Sequence, residues 1–184
     1  MKNIFVINGH EYYPYAQGEL NKTLFQTIVE NLADDYEVHA TIIQEGYDIE
    51  EEQQKFLNAD AVIYQFPINW MGMPFSMKKY VDHIFAHGVF FGNSDQYGTG
   101  GLLLNKKYML STTWNAPKEA FDDVTTFFGG RSVDDVLLPI HKSMEYVGMK
   151  ALPGFSCHDV VKNPQVDQYL EDLKMHIKSV FHTK

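Results

Sequence analysis

Residues 4–32 read IFVINGHEYYPYAQGELNKTLFQTIVENL, and their pattern decides the fold class. The stretch opens on a continuous apolar run, Ile4-Phe5-Val6-Ile7, of strand length. It closes on Leu20, Leu24, Ile28 and Leu32 at i, i+4 spacing, which predicts a helix over 21–32. An apolar run without alternation marks a strand buried on both faces, as in a parallel sheet covered by helices. The unit recurs along the chain. Strands are predicted over 38–43, 61–66, 107–112 and 152–157, and helices over 49–57, 77–85, 142–148 and 166–181. The 142–148 helix should end on Gly148. Residues 136–140 read as a short extended run. The alternation predicts an α/β fold: a doubly wound, five-stranded parallel sheet with helices on both faces, in one domain over 1–184.

Composition narrows the function classes. The chain has 184 residues, 45% of them hydrophobic, enough for a core without covalent staples. Its net charge of −9 argues against a nucleic-acid surface, which would need a basic patch. Cys157 is the one cysteine, so no internal disulfide or CxxC redox pair can form, and a packed thiol is expected. The 4–7 run is too short for a signal peptide or membrane span, so a cytoplasmic location is expected. Asn21-Lys22-Thr23 matches a glycosylation sequon, which means nothing without secretion.

In doubly wound sheets, ligands sit beyond the carboxyl ends of the strands. Three loops therefore matter. The first, 8–21, runs from a buried strand to a helix N-terminus, where backbone N–H groups and the helix dipole favour an anion. It is neither GxGxxG nor GxxxxGK[ST], and a plain long connection capped by Asn21 is the alternative. Glu19 would repel a terminal phosphate dianion, which tilts the reading towards a dinucleotide with a bridging pyrophosphate. The second loop, Pro67-Ile68-Asn69-Trp70-Met71-Gly72-Met73-Pro74, is stiff and apolar with exposed amides, which suits the face and edge of a flavin ring. The third, Thr112-Thr113-Trp114-Asn115-Ala116-Pro117, repeats that chemistry, and the chain's two tryptophans fall in these two loops. A segment rich in Gly, Phe and Asn, 88–101, interrupts the passage into the fourth strand.

Asn8-Gly9-His10, Gly18-Glu19-Leu20-Asn21, the 67–74 loop with Met77-Lys78-Lys79-Tyr80-Val81-Asp82, Tyr97-Gly98-Thr99-Gly100-Gly101-Leu102, the 107–117 segment and Leu138-Pro139-Ile140-His141-Lys142 carry a resemblance over nearly the whole chain. Together they resemble the flavodoxin-like NAD(P)H:quinone oxidoreductases, and within them the bacterial modulator of drug activity B branch. The resemblance implies FAD, NADPH or NADH as donor, a quinone as small-molecule acceptor, a homodimer and ping-pong hydride transfer. Carried over by motif, its FAD contacts fall on Ala16, Gln17, Gly18, Glu19, Leu20, Asn21, Lys22 and Thr23, on Asn69, Trp70, Met71 and Gly72, and on Thr113, Trp114, Asn115 and Ala116. His10 is a further phosphate contact, and the partner subunit's Tyr97 completes the pocket and touches the reacting centre. Some relatives carry a histidine in the segment matching Phe127-Phe128-Gly129-Gly130; here it has none.

Other candidates have plainer readings. His141 could relay a proton to the quinone or be structural. His83 and His87 stand four apart, a metal-pair spacing on a helix, but lack a third ligand, and no metal is expected. Two rival functions share the scaffold: an FMN-dependent azo- or nitro-reductase, and a non-enzymatic electron carrier. A receiver domain is excluded, because strands one and three end in Asn8-Gly9-His10 and Gln65-Phe66-Pro67 rather than an acidic cluster.

Overall fold

The computed structural model describes residues 1–181. Strand β1 (Asn3–Asn8) leads into helix α1 (Glu19–Ala33), followed by β2 (Glu37–Ile42), α2 (Ile49–Asn58), β3 (Ala61–Pro67) and α3 (Phe75–Ile84). Strand β4 (Lys107–Thr113) precedes α4 (Val133–Val136), α5 (Leu138–Tyr146), β5 (Lys150–Ala151), β6 (Phe155–Cys157) and α6 (Val166–Phe181). The strands pair in parallel in the order β2-β1-β3-β4-β5, with β6 also alongside β4. This is the expected doubly wound sheet.

Alternation along each strand builds two cores. Ile4, Val6, Ile63 and Met109 point towards α1 and α6, where they meet Leu24, Ile28, Leu173 and Ile177. Phe5, Ile7, Val62, Tyr64 and Tyr108 point to the other face, against Phe56, Tyr80, Ile140 and Met144. Glu52 is buried on that side with its carboxylate satisfied by Thr41, Lys55 and Tyr80. No described helix is long and apolar enough to cross a membrane.

Four local expectations are corrected. Residues 136–140 are helical, not extended. Ser132 and Asp135 form a capping box that starts α4, and Pro139 sits in the first turn of α5 with its φ already set for a helix. The fifth strand is two short pieces rather than one over 152–157. Pro153 has no N–H to give the ladder, so only the Leu152 N–H bond to Tyr108 bridges β5 and β6. Asn21 does not cap α1, which starts at Glu19 behind Gly18. Finally α3 stops at Ile84, so His87 is not on a helix with His83; His83 Nδ1 instead meets the Tyr47 hydroxyl at 3.1 Å. Among the described residues, no three His, Cys, Asp or Glu are grouped to hold a metal. Gly148 does follow α5, at φ 94. The Cys157 thiol is buried, and desolvation pushes its pKa up to about 12.

Candidate active site

A cavity of about 860 Å³ opens at the carboxyl ends of β1, β3 and β4. One end is built by the α1 N-terminus. Gly18 takes φ 82, a left-handed conformation open to glycine, and a Cβ there would lie 2.1 Å from His10 Cδ2. The first bond of α1 runs from the Lys22 N–H to the Gly18 carbonyl. The N–H groups of Glu19, Leu20 and Asn21 therefore precede the helical ladder, and no side chain caps them. They line the cavity together with Ala16, Gln17 and Gly18.

His10 lies beneath this end, buried, with Nε2 3.1 Å from the Ala16 carbonyl. A carbonyl accepts only, so Nε2 carries the proton and Nδ1 is left as a buried acceptor without a partner. Burial lowers the His10 pKa against the smaller opposing effects of Ala16 and Glu11. A neutral imidazole makes a poor phosphate ligand.

The other end is an aromatic turn. Asn69 and Gly72 exchange two backbone hydrogen bonds of 3.0 Å across Trp70 and Met71. Both central residues are left-handed, at φ 50 and φ 61. This is the backbone of a type I′ turn, which Asn-Gly ordinarily fills. The Trp70 side chain is 97% exposed. The Asn69 amide reaches the Tyr13 hydroxyl at 3.3 Å, and Tyr13 stacks on exposed Tyr15 at 5.3 Å. The first two loops thus form one aromatic rim.

The expected residues divide among three places. His10, Ala16 to Asn21, Asn69, Trp70, Thr113 and Asn115 line this cavity. Trp70 and Asn115 also border an adjoining recess of about 400 Å³ with Met71, Trp114 and Ala116. Trp114 is only 2% exposed; its indole N–H donates to Thr112 Oγ1 at 2.9 Å, and its ring packs edge-on against Phe121. It holds the loop from inside. Lys22 and Thr23 line neither space, and Thr23 Oγ1 donates to the Glu19 carbonyl. Gly72 and Tyr97 border a third hollow of about 680 Å³, where the exposed Tyr97 ring lies 5.7 Å from Tyr146. His141 borders none of these three; its Nδ1 is 2.7 Å from the Tyr108 hydroxyl and its Nε2 3.4 Å from Asp134.

The sequence reading missed Tyr13, Tyr15, Phe75, Val160 and Val161, which also line the cavity. Tyr12-Tyr13-Pro14-Tyr15, an aromatic run in a strand-to-helix loop, was the available signal. For the valines the signal was position, since they follow the last strand piece into the same crevice.

A donor-rich helix end and an aromatic turn thus share one crevice of an α/β protein, at the point where the strand order reverses. The chain belongs to the flavodoxin-like fold family, whose profile matches residues 2–179. Within it, the chain is 45% identical to the NADPH:quinone oxidoreductase MdaB of Haemophilus influenzae, over 97% of this chain and 99% of that one. A candidate quinone reductase from Klebsiella pneumoniae superposes with a TM-score of 0.79 at 23% identity, covering 100% of this chain and 86% of that one. General stress protein 14 of Treponema denticola, solved with FMN, gives 0.72 at 21% identity, covering 97% and 99%. At those identities the two structures bear on fold alone.

Proposed function

We propose that the chain is an FAD-dependent NAD(P)H:quinone oxidoreductase with its flavin seated in the 860 Å³ cavity. The observation that carries this reading is the pairing of a helix-end anion site with a flat, exposed aromatic turn in one crevice, in a chain 45% identical to a quinone oxidoreductase. When bound there, the flavin would supply hydride transfer between a nicotinamide donor and a quinone, and the two substrates would use one site in turn.

The residues present fit that group. The Glu19, Leu20 and Asn21 N–H groups offer an anion three unused donors. Trp70, Met71 and Ile68 offer an apolar wall, and Asn69, Thr113 and Asn115 offer neutral polar contacts. Among the described residues, no lysine or arginine lines the cavity, and Glu19 is the one acidic residue that does. Neutral donors beside a carboxylate suit a pyrophosphate diester, with one charge per phosphate, better than a terminal dianion. This favours FAD over FMN and is the reason the azo- and nitro-reductase reading ranks second.

Trp70 and Met71 would cover one ring face and exclude water from it. Asn115 and Thr113 would orient the ring edge. The proposal includes a homodimer, with the partner subunit's Tyr97 reaching the cavity. Its support is the 91% exposure of the Tyr97 ring beside an apolar hollow that shares Met73 with the cavity. His141 is assigned to holding Tyr108 rather than to the reaction. The test is steady-state oxidation of NADPH and NADH by a quinone panel with FAD-loaded protein. Parallel double-reciprocal lines support the reading; turnover of azo dyes without quinone reduction rejects it.

A further inference from the structure

Beneath the cavity runs a chain of four buried polar side chains, Ser111, Gln65, Asn21 and Thr113, of which the last two line it. Period-two alternation puts Ile63 and Gln65 of β3, and Met109, Ser111 and Thr113 of β4, on the face that α1 covers. The apolar members lie deep in the sheet; polarity begins where the strands approach the crevice. Gln65 and Ser111 are register partners. Asn21 comes down from α1 to meet them, and all four residues are at least nine-tenths buried.

The hydrogen bonds run head to tail. Ser111 Oγ donates to Gln65 Oε1 at 2.6 Å, and Gln65 Nε2 donates to Asn21 Oδ1 at 2.8 Å. Asn21 Nδ2 then donates to Thr113 Oγ1 at 3.1 Å. Each amide thus turns its carbonyl towards Ser111 and its NH₂ towards Thr113. Thr113 already accepts, so its own proton is the one left to place. Within the chain its outlet is Asn21 Oδ1 at 3.4 Å, an atom that already accepts the shorter bond from Gln65. Thr113 lines the cavity, where an acceptor would take that proton over a shorter path. Four polar side chains in a core carry a desolvation cost that apolar ones would avoid.

We propose that Gln65 and Ser111 are positioning residues that, through Asn21, fix the Thr113 hydroxyl as a hydrogen-bond donor to an acceptor atom of the bound flavin. The inference rests on the flavin reading above. One neutral hydrogen bond corresponds to about a tenfold change in affinity.

The experiment is a double-mutant cycle on the full chain stripped of cofactor, titrated with FAD and followed by quenching of flavin fluorescence. Thr113→Val should weaken binding about tenfold, and Thr113→Ser, which keeps the hydroxyl, should stay within about twofold. Gln65→Met should weaken binding similarly in the native background and not further in the Thr113→Val background. Should Gln65→Met not fold, Ser111→Ala closes the same cycle. An unchanged affinity in Thr113→Val, or losses that multiply to about a hundredfold in the double variant, would overturn the inference while leaving the flavin reading intact. If the unaltered chain binds neither FAD nor FMN, the flavin reading fails and takes the inference with it.

Discussion

Exchanging Trp70-Met71 for Asn-Gly should make the cofactor-free protein more stable and a worse flavin binder. Both residues occupy left-handed backbone, at φ 50 and φ 61. That conformation costs an ordinary L-residue about 1–2 kcal/mol, and glycine almost nothing. Asn tolerates it better than Trp, so the double exchange recovers about 2–3 kcal/mol of turn strain. Against this, glycine loosens the unfolded chain by about 0.5–1 kcal/mol. The side chains contribute little packing, since Trp70 is 97% and Met71 44% exposed. The net expectation is a gain of about 1–2 kcal/mol, or a Tm rise of about 2–8 °C for a chain of this size. Losing an aromatic contact with a stacked ring costs about 1–3 kcal/mol of binding, a rise of about five- to 150-fold in the FAD dissociation constant. Calorimetry of the cofactor-free protein and a fluorescence titration read the two effects separately. A fall in Tm with unchanged FAD affinity would refute the reasoning, because the turn would then serve the fold and not the ligand.

Trp70→Ala should lower flavin retention after desalting without changing the far-ultraviolet circular dichroism of the fold. Gly18→Ala meets both a left-handed φ and the His10 ring; we expect a lower urea midpoint, about 2 kcal/mol or more, with flavin loss in the same variant. The Cys157 thiol, held up near 12 by burial, should resist a thiol reagent at pH 8 in the native protein and react fully in denaturant. Burial depresses the pKa of both His10 and His158, so the unfolded chain binds more protons than the folded one below the unfolded value of about 6.5. Stability is therefore complete above that pH and is lost as pH falls through the folded values. Melting between pH 7.5 and about 5 should show this decline, and His158→Gln should flatten it.

Most of the fold was legible because its signals are periodic and local. The run at 4–7 is apolar without a break and the run at 61–66 is interrupted only by Gln65, and burial on both faces is what such runs require. Residues 136–140 misled because Val, Leu and Ile there suit strand and helix alike; the deciding signals were a capping box and a proline, both short-range polar features. The fifth strand looked whole because its apolar pattern hid the missing N–H of Pro153. At the site, loop positions after the strands followed from topology, so the crevice itself was legible. Side-chain direction was not. Trp70 and Trp114 look equivalent in the sequence, yet one projects into solvent and the other fills the space under its loop. Likewise Gln65 and Ser111 read as ordinary strand residues, because the bonds joining them to Asn21 and Thr113 span 44 to 92 positions of chain.

Releasing whatever cofactor the purified protein carries by denaturation, and identifying it by chromatography, decides between FAD, FMN and no flavin at all. The released cofactor should be FAD, close to one per chain, since the cavity offers helix-end N–H donors beside Glu19 and, among the described residues, no cationic side chain for a terminal phosphate. FMN in its place would contradict the argument from Glu19 and favour the azo- or nitro-reductase reading. No flavin, even after reconstitution with either form, would leave the fold intact and remove the proposed function.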